Sequence, residues 1–322
     1  MTQGLDIIGD VHGRATHLRA LLDRLGYEID PADGAYRHPG RRAVFVGDLI
    51  DGGPDQREVL ELIKAMVDGD SADVVMGNHE FNAIAYATPN PKQPNEFLRT
   101  RNDKHIKQHR AFLEQLDETE RQYYVDWFTT LPLWLDYGHA RVVHACWHEP
   151  SIRVVQDRCG GDRLAAGQLA DAATKGTDLY WAVETLLNGP EISLSKYGQE
   201  PYWDWNDKRQ TEARIRWWDP TATTLRDLAD IRGLRTEAGA PYEPLPPLEV
   251  DPNDGATFVY NEHIPVFYGH YWLSWPNRQE DCTTYTACVD FSAGGGVGPL
   301  VAYRWSGEPT LDVHNYIPHD PA

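Results

Sequence analysis

Apolar runs and amphipathic segments alternate over the first 85 residues of the chain. Residues 5–8, 43–46 and 72–76 are short apolar runs, which is the pattern of strands buried in a parallel sheet. Between these runs, apolar residues recur at helical spacing, as in the four leucines of residues 18–25 that precede Gly26. The alternation therefore predicts an α/β fold built from strand–helix–strand crossover units.

The rest of the chain is less regular. Residues 86–130 are polar and predict a helical segment, and strands are expected again at 133–137 and 141–145. Residues 150–258 mix helical patterns with a charged, aromatic run and a Pro-rich stretch, which we interpret as an insertion over one face of the core. The alternation and glycine turns of residues 264–305 predict an antiparallel sheet. We expect one domain over residues 1–322.

Polar side chains follow five of the predicted strands directly. They are Asp10 and His12, Asp48 and Asp51, Asn78 and His79, His144, and His270. Taken alone, His144 is explained as a hydrogen-bonded core histidine and Asp10 as a helix cap. Repetition after five strands instead favours one shared site, because ligands gather beyond the carboxyl ends of parallel strands. Carboxylate, amide and imidazole groups are ligands of divalent cations, and two such cations need a shared carboxylate.

Charge and composition limit the partners. The 30 Lys and Arg against 49 Asp and Glu give a net charge of −19, which disfavours nucleic acid and still allows small phosphorylated molecules. No run approaches the about 18 consecutive apolar residues of a membrane span, so we expect no membrane partner and a cytoplasmic location. The oligomeric state is left open.

Three motifs carry a family resemblance. GDVHG at 9–13, GDLID at 47–51 and GNHE at 77–80, followed by His144 and by Gly269-His270, resemble the motif series of the calcineurin-like metallophosphoesterases. The branch that they resemble holds Ser/Thr protein phosphatases and bacterial diadenosine tetraphosphatases. The resemblance implies two mixed β-sheets packed face to face and flanked by helices. It also implies a hydrolase that cleaves phosphoesters by attack of a metal-bound hydroxide.

The same resemblance implies a role for each motif residue. One metal ion would be held by three of them: Asp10, His12 and His270. The second would be held by Asn78 and His144, with Asp48 bridging the two ions. His79 would donate a proton to the leaving oxygen, and Asp51 would orient His79. Manganese is the expected metal, and iron, zinc, nickel or cobalt would satisfy the same ligands.

Gly52 departs from the family pattern, which usually has arginine after the second aspartate of the GDLID motif. Arg214 and Arg216 are the candidate replacements for this phosphate clamp. A larger or less charged substrate is a second explanation. The third is a catalytically impaired protein that binds phosphorylated ligands or regulates through them. The substrate itself, whether a phosphoprotein, a nucleotide or another small phosphorylated molecule, is left open by these residues.

Tryptophans and a run of glycines have two interpretations each. Trp203, Trp205, Trp217, Trp218 and Trp272 are each expected in the core, with a wall for a nucleobase as the alternative. The glycines at 294–296 lack the lysine and helix of a phosphate loop, so they predict a turn between strands.

Overall fold

The computed structural model describes residues 4–204, 208–251, 257–280 and 282–320. Two compact units are present, one formed by Met1–Asn188 with His263–Ala322 and the other by Gly189–Glu262. The strands, in chain order, are β1 (Gly4–Ile8), β2 (Glu28–Ile29), β3 (Tyr36–Arg37), β4 (Arg41–Phe45), β5 (Ala72–Val74), β6 (Trp134–Asp136), β7 (Arg141–Val143), β8 (Glu191–Ser193), β9 (Tyr202–Trp203), β10 (Arg209–Gln210), β11 (Glu212–Arg214), β12 (Val266–Tyr268), β13 (Thr286–Cys288), β14 (Val301–Trp305) and β15 (Tyr316–Pro318). The helices are α1 (Ala15–Leu25), α2 (Gln56–Asp68), α3 (Asn78–Ala87), α4 (Asp103–Gln108), α5 (Arg110–Gln115), α6 (Glu118–Phe128), α7 (Glu149–Cys159), α8 (Leu169–Ala172), α9 (Asp178–Asn188) and α10 (Leu225–Leu228).

The first unit contains a five-stranded mixed sheet in the order β15-β14-β1-β4-β5. Strands β1, β4 and β5 run parallel, with Ile7 opposite Val44 and Phe45 opposite Val74. Strand β14 joins the other edge of β1 in antiparallel orientation. The parallel crossover units predicted over the first 85 residues are therefore present, and the carboxyl ends of three strands meet at one edge.

A second mixed sheet of the same unit has the order β13-β12-β7-β6. Strand β12 runs parallel to both β7 and β13. The prediction of an antiparallel C-terminal sheet is therefore wrong for β12 and β13. Alternation of apolar and polar residues fixes which face a strand buries but says nothing about its neighbour's direction. The sheets pack through apolar faces, with the rings of Phe267 and Tyr303 5.1 Å apart. The predicted fold of two mixed sheets with flanking helices is confirmed.

Helices bury the leucine faces that the sequence predicts. In α1 the buried residues include Leu18, Leu21, Leu22 and Leu25, and Gly26 ends the helix in a left-handed conformation at φ 85°. Helices α4, α5 and α6 occupy residues 103–128, within the segment predicted to be helical.

The second unit pairs β8 with β11 and β9 with β10. Its core includes Trp217 and Trp218, both almost fully buried, as expected for tryptophans. Trp205 lies outside the described residues. The interpretation of residues 1–322 as one domain with an insertion at 150–258 stays a prediction.

Among the described residues, no helix is both long enough and apolar enough to cross a membrane. The expected cytoplasmic location stays a prediction.

Candidate metal centre

The loops that follow β1 and β4 interlock through backbone hydrogen bonds. The amides of Val11 and His12 both donate to the carbonyl of Asp48, at 3.1 and 2.9 Å. His12, Asp48 and Asp51 all have positive φ, at 47°, 51° and 68°, a conformation that ordinary residues rarely adopt. Strained residues of this kind cluster at functional sites, where the surrounding structure holds them in place.

Asp48 is the centre of the cluster of predicted ligands. Its Oδ2 lies 3.4 Å from Nε2 of His144, 3.8 Å from Nε2 of His12 and 3.9 Å from Nε2 of His79. This carboxylate belongs to two groups of ligand atoms. Within each group, all of the ligand atoms lie within 4.8 Å of one another. One is His12, Asp48 and His79, and the other is Asp48, His144 and His270. A carboxylate common to two groups is what a pair of cations needs.

Two backbone carbonyls fix the orientation of the central histidine rings. Nδ1 of His12 donates to the carbonyl of Ile50 at 2.9 Å, and Nδ1 of His144 donates to that of Val46 at 2.7 Å. In the neutral form of each ring, Nε2 then carries the lone pair and faces Asp48. Nε2 of His12 is buried and has no hydrogen-bond partner among the described residues. Lone pairs and a carboxylate that face one another fit a cation between them.

Asn78 joins the second group through its amide oxygen. Its Oδ1 lies 3.0 Å from Nε2 of His144 and 3.0 Å from Nδ1 of His270. The prediction grouped His270 with Asp10 and His12, whereas its side chain lies with Asn78 and His144 in this structure; which ion each residue holds stays a prediction. His270 contacts Asp10 through its backbone amide, at 3.1 Å, while its side chain is directed towards Asn78. Sequence spacing cannot distinguish these two orientations.

Buried negative charge surrounds the cluster. Asp10, Asp48 and Asp290 are at most 2% exposed. Burial, together with the charges of Asp290 and Asp48, raises the pKa of Asp10 well above its usual value. Burial also raises the pKa of Asp48, but the adjacent His144 and His79 outweigh it and lower this pKa well below the usual value. Carboxylates at this depth without a matching cation are costly, which again fits a metal site.

Asp51 lies between two histidines. Its Oδ2 accepts a hydrogen bond from Nδ1 of His79 at 2.7 Å, as the predicted pair requires, and its Oδ1 accepts from Nδ1 of His109 at 2.9 Å. Burial alone would raise the pKa of Asp51, but the bonds to His109 and His79 lower it to about 2. Burial would lower the pKa of His79, but Asp48 and Asp51 raise it to about 9. His109 was missed because the helical segment around it carries no motif.

Glu80 holds together the loop that follows β4 and the loop that follows β5. Its carboxylate accepts from the amides of Gly77 at 2.9 Å, Asp48 at 2.8 Å and Leu49 at 2.9 Å. The side chain is fully buried. It belongs to the GNHE motif, and a glutamate three residues into a helix is a known capping signal, so the sequence held a clue to this role.

A family model matches more than half of the chain. The model describes the calcineurin-like phosphoesterases and matches residues 5–179, which contain four of the five polar strand ends, all but that of His270. The chain belongs to the calcineurin-like phosphoesterase family. The resemblance predicted from the motifs is confirmed, and divalent metal ions are implied by the family.

Known relatives in this family include nucleotide tetraphosphatases. An asymmetrical bis(5'-nucleosyl)-tetraphosphatase of Geobacillus thermodenitrificans is 33% identical over 144 residues, 44% of this chain and 56% of the relative. This chain therefore spans about half the length of that relative. A symmetrical bis(5'-nucleosyl)-tetraphosphatase of Aromatoleum aromaticum is 26% identical over 293 residues, 89% of this chain and 83% of the relative.

Solved structures that this chain resembles include a cold-active protein-tyrosine phosphatase of a psychrophilic Shewanella species. It has a TM-score of 0.49 and 15% identity and covers 99% of this chain and 81% of that chain. A protein serine/threonine phosphatase from Saccharomyces cerevisiae has a TM-score of 0.44 and 15% identity, over 98% of this chain and 78% of that chain.

At Gly52, where this chain departs from the family pattern, the backbone favours glycine. Its φ is +83°, and a Cβ there would lie 3.3 Å from the carbonyl oxygen of Gly294 and 3.7 Å from Cβ of His12. A side chain would therefore be strained. The candidate replacements, Arg214 and Arg216, belong to the second unit, and their contact with phosphate stays a prediction.

Proposed function

We propose that this chain is a dinuclear metal-dependent phosphoester hydrolase, with manganese as the metal and a nucleotide phosphate as the substrate. The observation that carries the proposal is that Asp48 belongs to both groups of ligand atoms. Asp10 and His12 serve the first ion, and Asn78, His144 and His270 serve the second. When bound, the two ions supply positive charge to the phosphoryl oxygens and activate water for in-line attack.

His79 is the proton donor to the leaving oxygen. Its Nδ1 is bonded to Asp51 at 2.7 Å, which leaves Nε2 on the side of Asp48. The carboxylate of Asp51 holds the ring in this orientation and favours its charged form. Protein residues thus orient and protonate the leaving group on one side of the metal pair.

Support for a nucleotide comes from the tetraphosphatase relatives and from the charge of the chain. The net charge of −19 disfavours long polyanions but not small ones that a metal pair neutralises. A phosphoprotein substrate remains the alternative within the same chemistry.

The test is hydrolysis by metal-stripped protein titrated with manganese, beside the variants Asp48→Asn and Asp73→Asn. Substrates are p-nitrophenyl phosphate, bis-p-nitrophenyl phosphate and diadenosine tetraphosphate. We expect manganese-dependent turnover that Asp48→Asn lowers by roughly 10³-fold or more, because several kcal/mol of charge stabilisation are lost. Asp73 is the control, since this carboxylate of β5 is bonded to Arg42 of β4 and to Tyr137, which follows β6.

Turnover retained in Asp48→Asn would refute the proposal. Manganese-dependent binding of phosphorylated ligands without turnover of any of the three substrates would favour the impaired, ligand-binding protein instead.

A further inference from the structure

Trp272 is a large apolar side chain left exposed beside the metal centre. It is 48% exposed, whereas the tryptophans of the core are buried. The centroid of its ring lies 6.1 Å from that of His12, with the two planes inclined at 53°. Burying an indole is favourable, so an exposed one next to ligand residues is available to a bound molecule.

The backbone at Trp272 is held in an unfavourable conformation. Its φ is +52°, which is rare for a bulky residue. The amide of Trp272 donates to Oδ2 of Asp290 at 2.8 Å, and the other oxygen of Asp290 accepts from Ser292 at 2.9 Å. Because Asp290 is buried, these bonds hold the backbone from which the indole projects. Strain maintained in this way is typical of functional sites.

The glycine run at 294–296 forms the surface against which the indole lies. A Cβ at Gly295 would come within 2.8 Å of Cζ3 of Trp272, and one at Gly294 would clash with the ring of His12. The guanidinium of Arg14 donates to the carbonyl of Gly294 at 2.9 Å and anchors the run. The absence of side chains in this turn between β13 and β14 therefore seats the indole beside His12.

We propose that the indole of Trp272 is a stacking platform for the purine base of a nucleotide whose phosphate lies at the metal centre. This rests on the proposed phosphoester hydrolase function. A two-ring purine matches the two-ring indole in area, and stacking on an aromatic face does not require hydrogen bonds to the base edge. Trp272 would thus select substrates that carry a base over those that carry phosphate alone.

The test compares two ligands that share a phosphonate and differ in the nucleoside. They are α,β-methylene-ADP and methylenediphosphonate, titrated calorimetrically into the manganese-loaded protein. Trp272→Ala should weaken binding of α,β-methylene-ADP about 10-fold, within the range measured for single stacked bases, and change methylenediphosphonate binding by less than about 2-fold. Trp272→Phe should restore most of the loss. Trp181→Ala is the matched control, since Trp181 of α9 is 51% exposed.

Three results would overturn the proposal. Unchanged nucleotide binding in Trp272→Ala would exclude stacking, and equal weakening of both ligands would make Trp272 a support of the metal ligands. O-phosphotyrosine is titrated in parallel as a third ligand. If Trp272→Ala weakens its binding more than that of α,β-methylene-ADP, the platform would be assigned to a phosphotyrosine side chain. Because the titration needs no turnover, it tests Trp272 even if the chain fails to hydrolyse any phosphoester.

Discussion

Asp51 shows how one side chain can set the behaviour of its neighbours. It accepts hydrogen bonds from His79 on one side and from His109 on the other, and it is 2% exposed. A carboxylate held at both oxygens cannot rotate, so the ring of His79 is held with it. In the proposed mechanism, His109 is therefore a positioning residue, which acts on the reaction through Asp51.

Replacing His109 should impair catalysis without removing a group that touches the substrate. We expect His109→Ala to lower kcat by about 10- to 100-fold, the usual cost of losing such a support, and to change KM little. Because the bond to His109 helps to lower the pKa of Asp51, its loss should move the acid limb of the pH–rate profile to higher pH.

His109→Gln, which keeps a donor, should recover part of the rate. His105→Gln in α4 is the matched control, since the ring of His105 bonds to Thr100. A lower kcat with an unmoved acid limb would contradict the positioning role.

Gly52 has a different meaning in the structure from the one its sequence context suggests. The positive φ and the carbonyl of Gly294 at 3.3 Å make it a position built for glycine. An arginine here would strain the backbone, which weakens the argument that Gly52 marks a decayed enzyme.

At the scale of elements, helix α3 is the part that joins the loops of the site. Asn78 and His79 begin the helix, and Glu80 in its first turn binds the loop after β4. The amide of His79 also donates to Oδ1 of Asp48 at 2.9 Å. A helix N-terminus attracts negative charge, so these contacts place Asp48 where the helix dipole stabilises it.

Glu80→Gln should loosen this connection. A glutamine can offer its oxygen to the amides but cannot replace all three bonds of the carboxylate, so at least one buried N–H loses its partner. We expect a loss of about 1–3 kcal/mol in the free energy of unfolding, measured by urea denaturation of the metal-free protein.

Glu120→Gln is the control, because Glu120 makes the same capping contact at the start of exposed helix α6, to the amide of Asp117 at 2.8 Å. We expect about 1 kcal/mol or less from that substitution. Equal losses for the two variants would show that Glu80 is only a helix cap.

At the scale of the whole molecule, the site exists because two sheets of the first unit meet. Asp10, Asp48 and Asn78 follow strands of the first sheet, while His144 and His270 follow β7 and β12 of the second. The contact of Asn78 with both histidines joins the two sets. A metal ion bound there would link the sheets and so stabilise the fold.

Manganese should therefore raise the melting temperature, and more at pH 8 than at pH 5.5. Burial and neighbouring carboxylates raise the pKa of Asp10, and burial raises that of Asp290 to about 6 and that of Glu80 to about 7. These acids ionise near pH 4 in the unfolded chain, so the metal-free protein loses stability as pH rises through 6–7. At pH 8 a bound cation offsets the cost of burying these ionised acids. At pH 5.5 the acids must release their protons before the cation can bind, so its stabilising effect is smaller.

At a hundredfold excess over the dissociation constant, a rise of roughly 5–10 °C is expected at pH 8. Differential scanning calorimetry of chelator-treated and manganese-loaded protein measures it, with Asp48→Asn as the control that should respond little. An equal rise at both pH values would contradict this account.

Much of the site was predictable because its parts are local. Short apolar runs, glycines and polar residues at strand ends determine β1, β4 and β5, the loops after them and thereby Asp10, His12, Asp48, Asp51 and Asn78. Each of these residues lies within a few positions of the strand that places it.

Contacts between distant segments had to be decided by the tertiary structure. The side chain of His270 turns to Asn78, 192 residues away in the sequence, and His109 reaches Asp51 across 58 residues. The parallel direction of β12 and the exposure of Trp272 depend likewise on which surfaces pack together. Periodicity records which face of an element is buried, but the partner that buries it, or leaves it open, is set only when the chain is folded.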